Sequence, residues 1–278
     1  MARLSRPLTR RQLEALADRH GPQNWSAEFS LESLVDAVTN GTSLTAIVLA
    51  ADIRSSTVIM REAINALRFA DIITEFIDAI GTALKKKRGW LDKFTGDGLL
   101  AYWIYDAQPP QSYFPEVLEV SNLCLSFFRD IVIDELRRNT RNFPAKAGIS
   151  LGIDAGAVNL LPVGGDLTIV GTPVVGAVRM VNAATTKYET LVNTYLGTVL
   201  YGDRSYYRNK FRIRREIRPT KEYPEGQEVY LLDFKKPLKL RREPSKRLDR
   251  TGKSSGTRYD RRRGRPLRRS DNKQRHFE

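Results

Sequence analysis

The sequence predicts an α+β fold with a largely antiparallel central sheet flanked by helices. Residues 44–51 form an apolar run that is typical of a strand buried on both faces. Residues 90–94 and 99–103 flank a Thr-Gly-Asp-Gly turn and predict a hairpin. Between these segments, apolar residues recur every three or four positions from Phe69 to Leu84, as in an amphipathic helix. Because hairpins are mixed with helices, the pattern favours an antiparallel core over a doubly wound parallel sheet.

The other segments extend this pattern. Two short helices are expected before residue 40, and Asn40 and Gly41 end the second. Later in the chain we expect helices over 117–131 and 174–184 and strands over 147–153, 157–163, 167–170, 212–218 and 229–234. The chain therefore divides into a helical N-terminal extension (1–40), a globular domain (41–236) and a tail (237–278).

Basic residues are concentrated at the C-terminal end. The 278-residue chain has a net charge of +14, and residues 235–278 hold 18 Lys and Arg against 5 Asp and Glu. This segment has few large apolar residues, so we expect it to be disordered. It is either an electrostatic arm for an anionic partner such as nucleic acid, anionic lipid or a triphosphate, or a solvated tail. The nearly neutral body argues against a nucleic-acid-binding protein.

Cysteine and histidine usage excludes several kinds of site. One cysteine, Cys124, rules out an internal disulfide and fits a reducing compartment. Only His20 and His276 are present, near the two ends, which argues against a histidine metal site or a catalytic triad. No apolar run reaches membrane-spanning length, and the first residues lack a signal-peptide core. We expect a soluble, cytoplasmic protein.

Two aspartates are the strongest candidates for chemistry. Asp52 ends the apolar strand, and Asp97 lies in the turn of the hairpin. Two carboxylates at strand ends suit Mg²⁺, which proteins usually hold with one or two carboxylates together with substrate phosphates. The alternatives are structural. Asp52 could cap the following helix, as Ser56 or Thr57 could, and a Gly-Asp-Gly sequence is most often a simple turn.

The surrounding motifs resemble those of the class III nucleotidyl cyclases, which make 3′,5′-cyclic nucleotides from nucleoside triphosphates. Residues 51–53 and Thr57 match the segment around the first metal aspartate of that family, and residues 93–98 match the second segment completely. Residues 147–156 and 170–179 are similar to a third. Order and spacing agree over roughly residues 44–233, so the resemblance implies a class III cyclase domain.

The resemblance also implies a catalytic centre with Asp52, Asp97 and Arg179. In the family, two divalent cations, Mg²⁺ or Mn²⁺, are held by two aspartates and by the main-chain carbonyl that corresponds to Ile53. The arginine stabilises charge on the α-phosphate in the transition state. Without the family context, Arg179 is an ordinary solvent-facing helix residue.

Substrate contacts follow from the same comparison. The triphosphate is expected to face the backbone of the segment after the first strand, at Ile53, Arg54, Ser55, Ser56 and Thr57. Lys93 and Thr172 match the positions that read the base, although Lys93 alone is also consistent with an exposed strand lysine. Lys221 is a looser match to a γ-phosphate contact.

The chain departs from the family pattern at several positions. Ser55 and Ser56 replace the usual Gly and Phe, and Val175 replaces an asparagine that helps to hold the ribose. With the short architecture, these departures make the chain most similar to the Pycsar pyrimidine cyclases of bacterial antiphage systems. We therefore expect UTP as the favoured substrate and CTP next. An adenylyl cyclase, or a catalytically silent nucleotide-binding module, is the alternative. The family shares each site between two chains, so the resemblance implies a homodimer.

Overall fold

The computed structural model describes residues 8–23, 29–94, 96–105, 110–163, 166–203 and 210–235. All described residues belong to one compact unit, Met1–Lys239, and residues 240–278 lie outside the described part of the chain. The predicted disordered tail, 237–278, also lies outside it.

The described part of this unit is built on one eight-stranded sheet. Its strands are β1 (Leu44–Arg54), β2 (Trp90–Phe94), β3 (Gly98–Tyr105), β4 (Gly148–Val163), β5 (Asp166–Val170), β6 (Thr190–Asn193), β7 (Phe211–Arg218) and β8 (Gln227–Phe234). The order is β2-β3-β1-β4-β6-β8-β7, and β5 pairs with β4. Among these described strands, only β4 and β6 pair in parallel. The α+β prediction with a largely antiparallel sheet is therefore confirmed.

Helices cover both faces of this sheet. They are α1 (Arg10–His20), α2 (Leu31–Asn40), α3 (Ser56–Arg61), α4 (Ala66–Lys86), α5 (Phe114–Phe127), α6 (Ile133–Arg138), α7 (Thr172–Ala183) and α8 (Thr194–Gly202). A π-helical turn, Phe128–Val132, joins α5 to α6. The two predicted N-terminal helices are present: a Thr9–Gln12 capping box starts α1, and Gly41, in the left-handed region at φ 66°, ends α2.

The central strand β1 is buried on both faces, as its apolar run predicts. Ile47, Leu49, Ala51 and Ile53 belong to a cluster formed with α4 and α5. The alternate residues Ala46, Val48 and Ala50 belong to a cluster that includes residues of α1, α2 and α7. Since side chains alternate along a strand, Asp52 follows Ala50 on the second face, the side that α7 covers.

Small residues of β4 allow α7 to approach the sheet closely. A β-carbon on Gly152 would overlap the carbonyl oxygen of Ala177 and lie 2.7 Å from the amide nitrogen of Val181. Only glycine fits there, because the helix backbone itself occupies the space. This contact sets the height of α7 above β4, and with it the positions of Thr172 and Arg179 at the helix surface.

The structure differs from the predicted elements in several places. The two strands expected over 147–153 and 157–163 are one continuous strand, β4. The helix expected from residue 174 begins at Thr172. Strand β6 and helix α8 were not predicted, because β6 has only four residues and α8 contains β-branched residues and glycine, which favour helix weakly.

Candidate active site

The fold brings Asp52 and Asp97 together. Asp52 lies near the end of β1 and is paired in register with Gly98, the first residue of β3. The amide nitrogen of Ile53 donates to the main-chain oxygen of Asp97 at 3.2 Å. Both aspartates are partly buried. Thr95, in the same turn, lies outside the described residues. The two predicted metal ligands are thus on neighbouring strand ends, as the sequence pattern requires.

The two carboxylates interact electrostatically. Burial, and then the negative charge of Asp97, raise the pKa of Asp52 to about 6, while Arg54 opposes this shift. No group of three or more His, Cys, Asp or Glu side chains able to hold a metal occurs in the described part of the chain. The candidate is therefore a two-carboxylate site. Such a donor set suits a hard cation that takes its other ligands from phosphates and water.

The segment between β1 and α3 has an unusual backbone. Ser55 has φ 63°, in the left-handed region that glycine adopts without cost. The next residue, Ser56, is buried, and its hydroxyl donates to Oδ2 of Asp97. Thr57 is exposed in the first turn of α3. The Ser55-Ser56 departure therefore affects Asp97 directly, through a hydrogen bond that phenylalanine could not make.

The Arg54 side chain forms hydrogen bonds with other parts of the same chain. Its guanidinium donates to Ser150 Oγ at 3.2 Å and to the carbonyl oxygen of Ala184 at 2.8 Å. Arg54 therefore ties β1 to β4 and to the end of α7. It also lowers the pKa of Asp52, although less strongly than burial and Asp97 raise it.

Lys93 contacts a residue that sequence reasoning missed. Its ammonium donates to Thr168 Oγ1 at 2.6 Å and lies 3.1 Å from Oδ2 of Asp92. Thr172, the predicted partner, is exposed at the start of α7, four residues beyond Thr168. Nothing in the sequence pairs Thr168 with Lys93, because they are 75 residues apart. The strand alternation of 167–170 gave the only signal, since it places Thr168 on the face opposite Leu167 and Ile169.

Arg179 lies in a groove beside α7. The groove has a volume of about 500 Å³ and is lined by Val174, Val175, Val178, Arg179, Asn182, Ala183, Pro219, Thr220, Lys221 and Glu222. Arg179 forms a 2.8 Å ion pair with Glu222, and its Nε is buried without a hydrogen-bond partner. Lys221 lines the same groove, and the Val175 side chain is exposed there. The described residues that line this groove include neither Asp52 nor Asp97.

A buried acid, Asp154, lies beneath α7 and was not predicted as functional. Its carboxylate accepts a 2.8 Å hydrogen bond from the amide nitrogen of Ala155. Burial raises the pKa of Asp154 to about 6, although a hydrogen bond from Asn193 and the charge of Arg179 act to lower it. The acid is thus close enough to the arginine groove to interact with it electrostatically.

Among the comparisons with known proteins, only the one with solved structures found matches, and these matches identify the fold. No protein-family model and no curated protein matches the chain. The chain has the fold of class III adenylyl and guanylyl cyclase domains, which confirms the fold that the sequence motifs imply. In the described residues, no helix is both long and apolar enough to cross a bilayer.

Three solved structures illustrate the likeness. The adenylyl cyclase CyaB from P. aeruginosa is 19% identical with a TM-score of 0.57, over 71% of this chain and 98% of that chain. The guanylyl cyclase Cya2 is 16% identical with a TM-score of 0.52, over 69% and 92%. The catalytic core of a rhodopsin-guanylyl cyclase with converted specificity, in complex with ATPαS, is 15% identical with a TM-score of 0.51, over 70% and 99%.

Proposed function

We propose that this protein is a nucleotidyl cyclase that converts a nucleoside triphosphate to the 3′,5′-cyclic monophosphate and pyrophosphate. The observation that carries the proposal is the pairing of Asp52 and Asp97 on neighbouring strand ends, linked by the Ile53 amide. This pairing occurs in a fold whose solved neighbours are adenylyl and guanylyl cyclases.

The residues at this site fit two divalent cations, Mg²⁺ or Mn²⁺. The donors are Asp52, Asp97 and the main-chain carbonyl of Ile53. The raised pKa of Asp52 supports the assignment, because two repelling carboxylates in a partly buried site are what a cation would stabilise. When bound, such ions lower the pKa of an attacking hydroxyl and neutralise phosphate charge.

The chain's own residues supply positioning and positive charge. Arg179 and Lys221 line one groove, and we assign Arg179 to the charge that develops on the α-phosphate and Lys221 to the terminal phosphate. The Ile53 amide already donates to Asp97, so the backbone amides assigned to the triphosphate are those of Arg54, Ser55, Ser56 and Thr57. Arg54 holds the end of β1 in place through its bonds to Ser150 and Ala184.

For the base, we propose that Lys93 acts with Thr168. The 2.6 Å bond between them supports this pair. Thr172 remains a predicted contact at the start of α7. We propose UTP as the favoured substrate, CTP next, and a role as signal generator in antiphage defence. This choice is supported by the Ser55-Ser56 and Val175 departures. Adenylyl cyclase activity is the alternative, since adenine also offers one donor and one acceptor on this edge.

The active form is proposed to be a homodimer with shared sites. Asp52 and Asp97 do not line the groove that holds Arg179 and Lys221, which supports a site completed by a second chain. We further propose a cytoplasmic location, where nucleoside triphosphates are available and the Cys124 thiol stays reduced. The tail, 237–278, is proposed to bind an anionic partner.

One observation favours a second function, a catalytically silent nucleotide-binding module. Val175 is 49% exposed at the groove and cannot hydrogen-bond a ribose, and Glu222 neutralises Arg179. The discriminating experiment incubates the protein with each of the four nucleoside triphosphates and Mn²⁺ and detects cyclic product by mass. Binding without any cyclic product supports the silent module. A cyclic product that is lost in both D52A and D97A supports the cyclase.

A further inference from the structure

Asp92 is a fully buried carboxylate at an irregularity of the hairpin. In the pairing of β2 with β3, Leu91 is opposite Ala101 and Lys93 is opposite Leu100, so Asp92 is the extra residue of a β-bulge. Bulges redirect side chains. The Asp92 side chain has 0% exposure and reaches β5, where Oδ1 accepts a 2.8 Å bond from the amide nitrogen of Ile169.

Asp92 also determines the direction of the hydrogen bonds around Lys93. Oδ2 of Asp92 is 3.1 Å from the Lys93 ammonium and 3.3 Å from Thr168 Oγ1. A carboxylate can only accept, so the single hydroxyl proton of Thr168 points to Asp92. An ammonium can only donate, so Thr168 accepts from Lys93 at 2.6 Å.

This arrangement leaves a fixed pair of groups for a ligand. Lys93 has three protons, of which one is donated to Thr168, and its charge is paired with Asp92. Thr168 has used its proton and one lone pair. Toward a ligand, Lys93 therefore presents only donors and Thr168 presents one acceptor, and Thr168 cannot become a donor while the Asp92 carboxylate holds its proton.

We propose that Asp92 is a positioning residue for base specificity: by fixing Lys93 as donor and Thr168 as acceptor, it makes the pair distinguish keto bases from amino bases. Uracil and guanine present an exocyclic acceptor beside a ring N–H, whereas cytosine and adenine present an exocyclic donor beside a ring acceptor. Because Lys93 only donates and Thr168 only accepts, the pair fits one of these two arrangements of the base edge and opposes the other. The choice between a purine and a pyrimidine must depend on other contacts. This inference rests on the proposed function, in which Lys93 and Thr168 face the base.

The test compares UTP with CTP, which differ at this edge but not in size. In the wild type, we expect the kcat/KM values for the two to differ by about tenfold or more, because the wrong order leaves polar groups unpaired. In D92N, the amide can both donate and accept, so the Thr168 hydroxyl can turn and the ratio should fall toward one. D166N changes an exposed acid on β5 and should keep the wild-type ratio.

A second pair of variants covers the case in which D92N does not fold. T168V removes the acceptor and should lower the UTP/CTP ratio, while T168S keeps the hydroxyl and should restore it. The same ratio is measured as equilibrium binding, by the thermal shift that each nucleotide produces. A wild type that treats UTP and CTP alike, or folded D92N and T168V with the wild-type ratio, would overturn the inference. If no triphosphate is cyclised, the proposed function fails, and the binding ratios still decide the role of Asp92.

Discussion

The carboxylate of Asp154 on β4 occupies the space that a side chain at Gly176 of α7 would need. A β-carbon at residue 176 would overlap Oδ2 of Asp154. At Gly152, a glycine on the strand makes room for the backbone of the helix. At Gly176, a glycine on the helix makes room for a side chain of the strand. The pair places a buried acid within electrostatic range of Arg179 without lifting α7 from the sheet.

This relationship predicts the effect of G176A. The added methyl group overlaps a buried carboxylate, so we expect a loss of about 1 to 3 kcal/mol in the free energy of unfolding, measured by urea denaturation. The double variant D154A/G176A removes the overlap, and its loss should be smaller than the sum of the two single losses. Additive losses would show that the two side chains do not compete for this space.

The pH dependence of stability should change in D154N. The pKa of Asp154 in the folded protein, about 6, lies above its ordinary value of 3.8, so the folded state binds this proton more tightly than the unfolded state. The resulting stabilisation is complete below about pH 4 and is lost as pH rises through 6. Its upper limit is roughly 3 kcal/mol, since one pKa unit corresponds to about 1.4 kcal/mol.

Denaturation of wild type and D154N at several pH values from 4 to 7 checks this expectation. The difference between the two proteins isolates Asp154 from the other acids that titrate in this range, Asp52 among them. The stability of the wild type relative to D154N should fall as pH rises. A constant difference would contradict the assigned shift.

S55G should stabilise the protein. A side chain at φ 63° costs about 1 to 2 kcal/mol, and the greater freedom of glycine in the unfolded chain cancels part of this gain. We therefore expect up to about 1 kcal/mol of added stability. T57G is the matched control, because Thr57 is helical, and glycine there should cost up to about 1 kcal/mol. Equal losses in both variants would mean that Ser55 is not strained.

E222Q should strengthen triphosphate binding. Glu222 pairs with Arg179 and lies in the groove assigned to phosphate, and both side chains are more than a third exposed. Exposed ion pairs contribute at most about 1 kcal/mol, so the gain in affinity should be no more than about fivefold. E225Q, an exposed acid further along the same segment, is the control. Weaker binding in E222Q than in E225Q would show that Glu222 supports Arg179 instead of competing for it.

Mixed variants test the shared site of the proposed homodimer. D52A and R179A should each be inactive alone. After mixing, one site of a mixed dimer keeps both intact halves and should restore part of the activity. A tag pull-down must first show that the chains exchange. Exchange without any recovery would place the whole site within one chain.

Local patterns in the sequence predicted the framework of the site. The apolar run before Asp52 requires a buried strand, and the turn around Asp97 requires a hairpin, so the strand ends and their acids follow from short-range rules. The order of the motifs was sufficient to imply the fold. These features depend on residues close together in the chain, where backbone preferences and side-chain periodicity act.

Only the tertiary structure determined which side chains meet. Lys93 contacts Thr168, Ser56 contacts Asp97, and the space for Asp154 is left by Gly176. The partners in these contacts are 22 to 75 residues apart in the chain. The contact between Asp154 and Gly176 also depends on how closely α7 packs against β4. A sequence pattern fixes which face of a strand a residue occupies. The distance between two faces is set by the volume of the side chains packed between them, and no local preference encodes it.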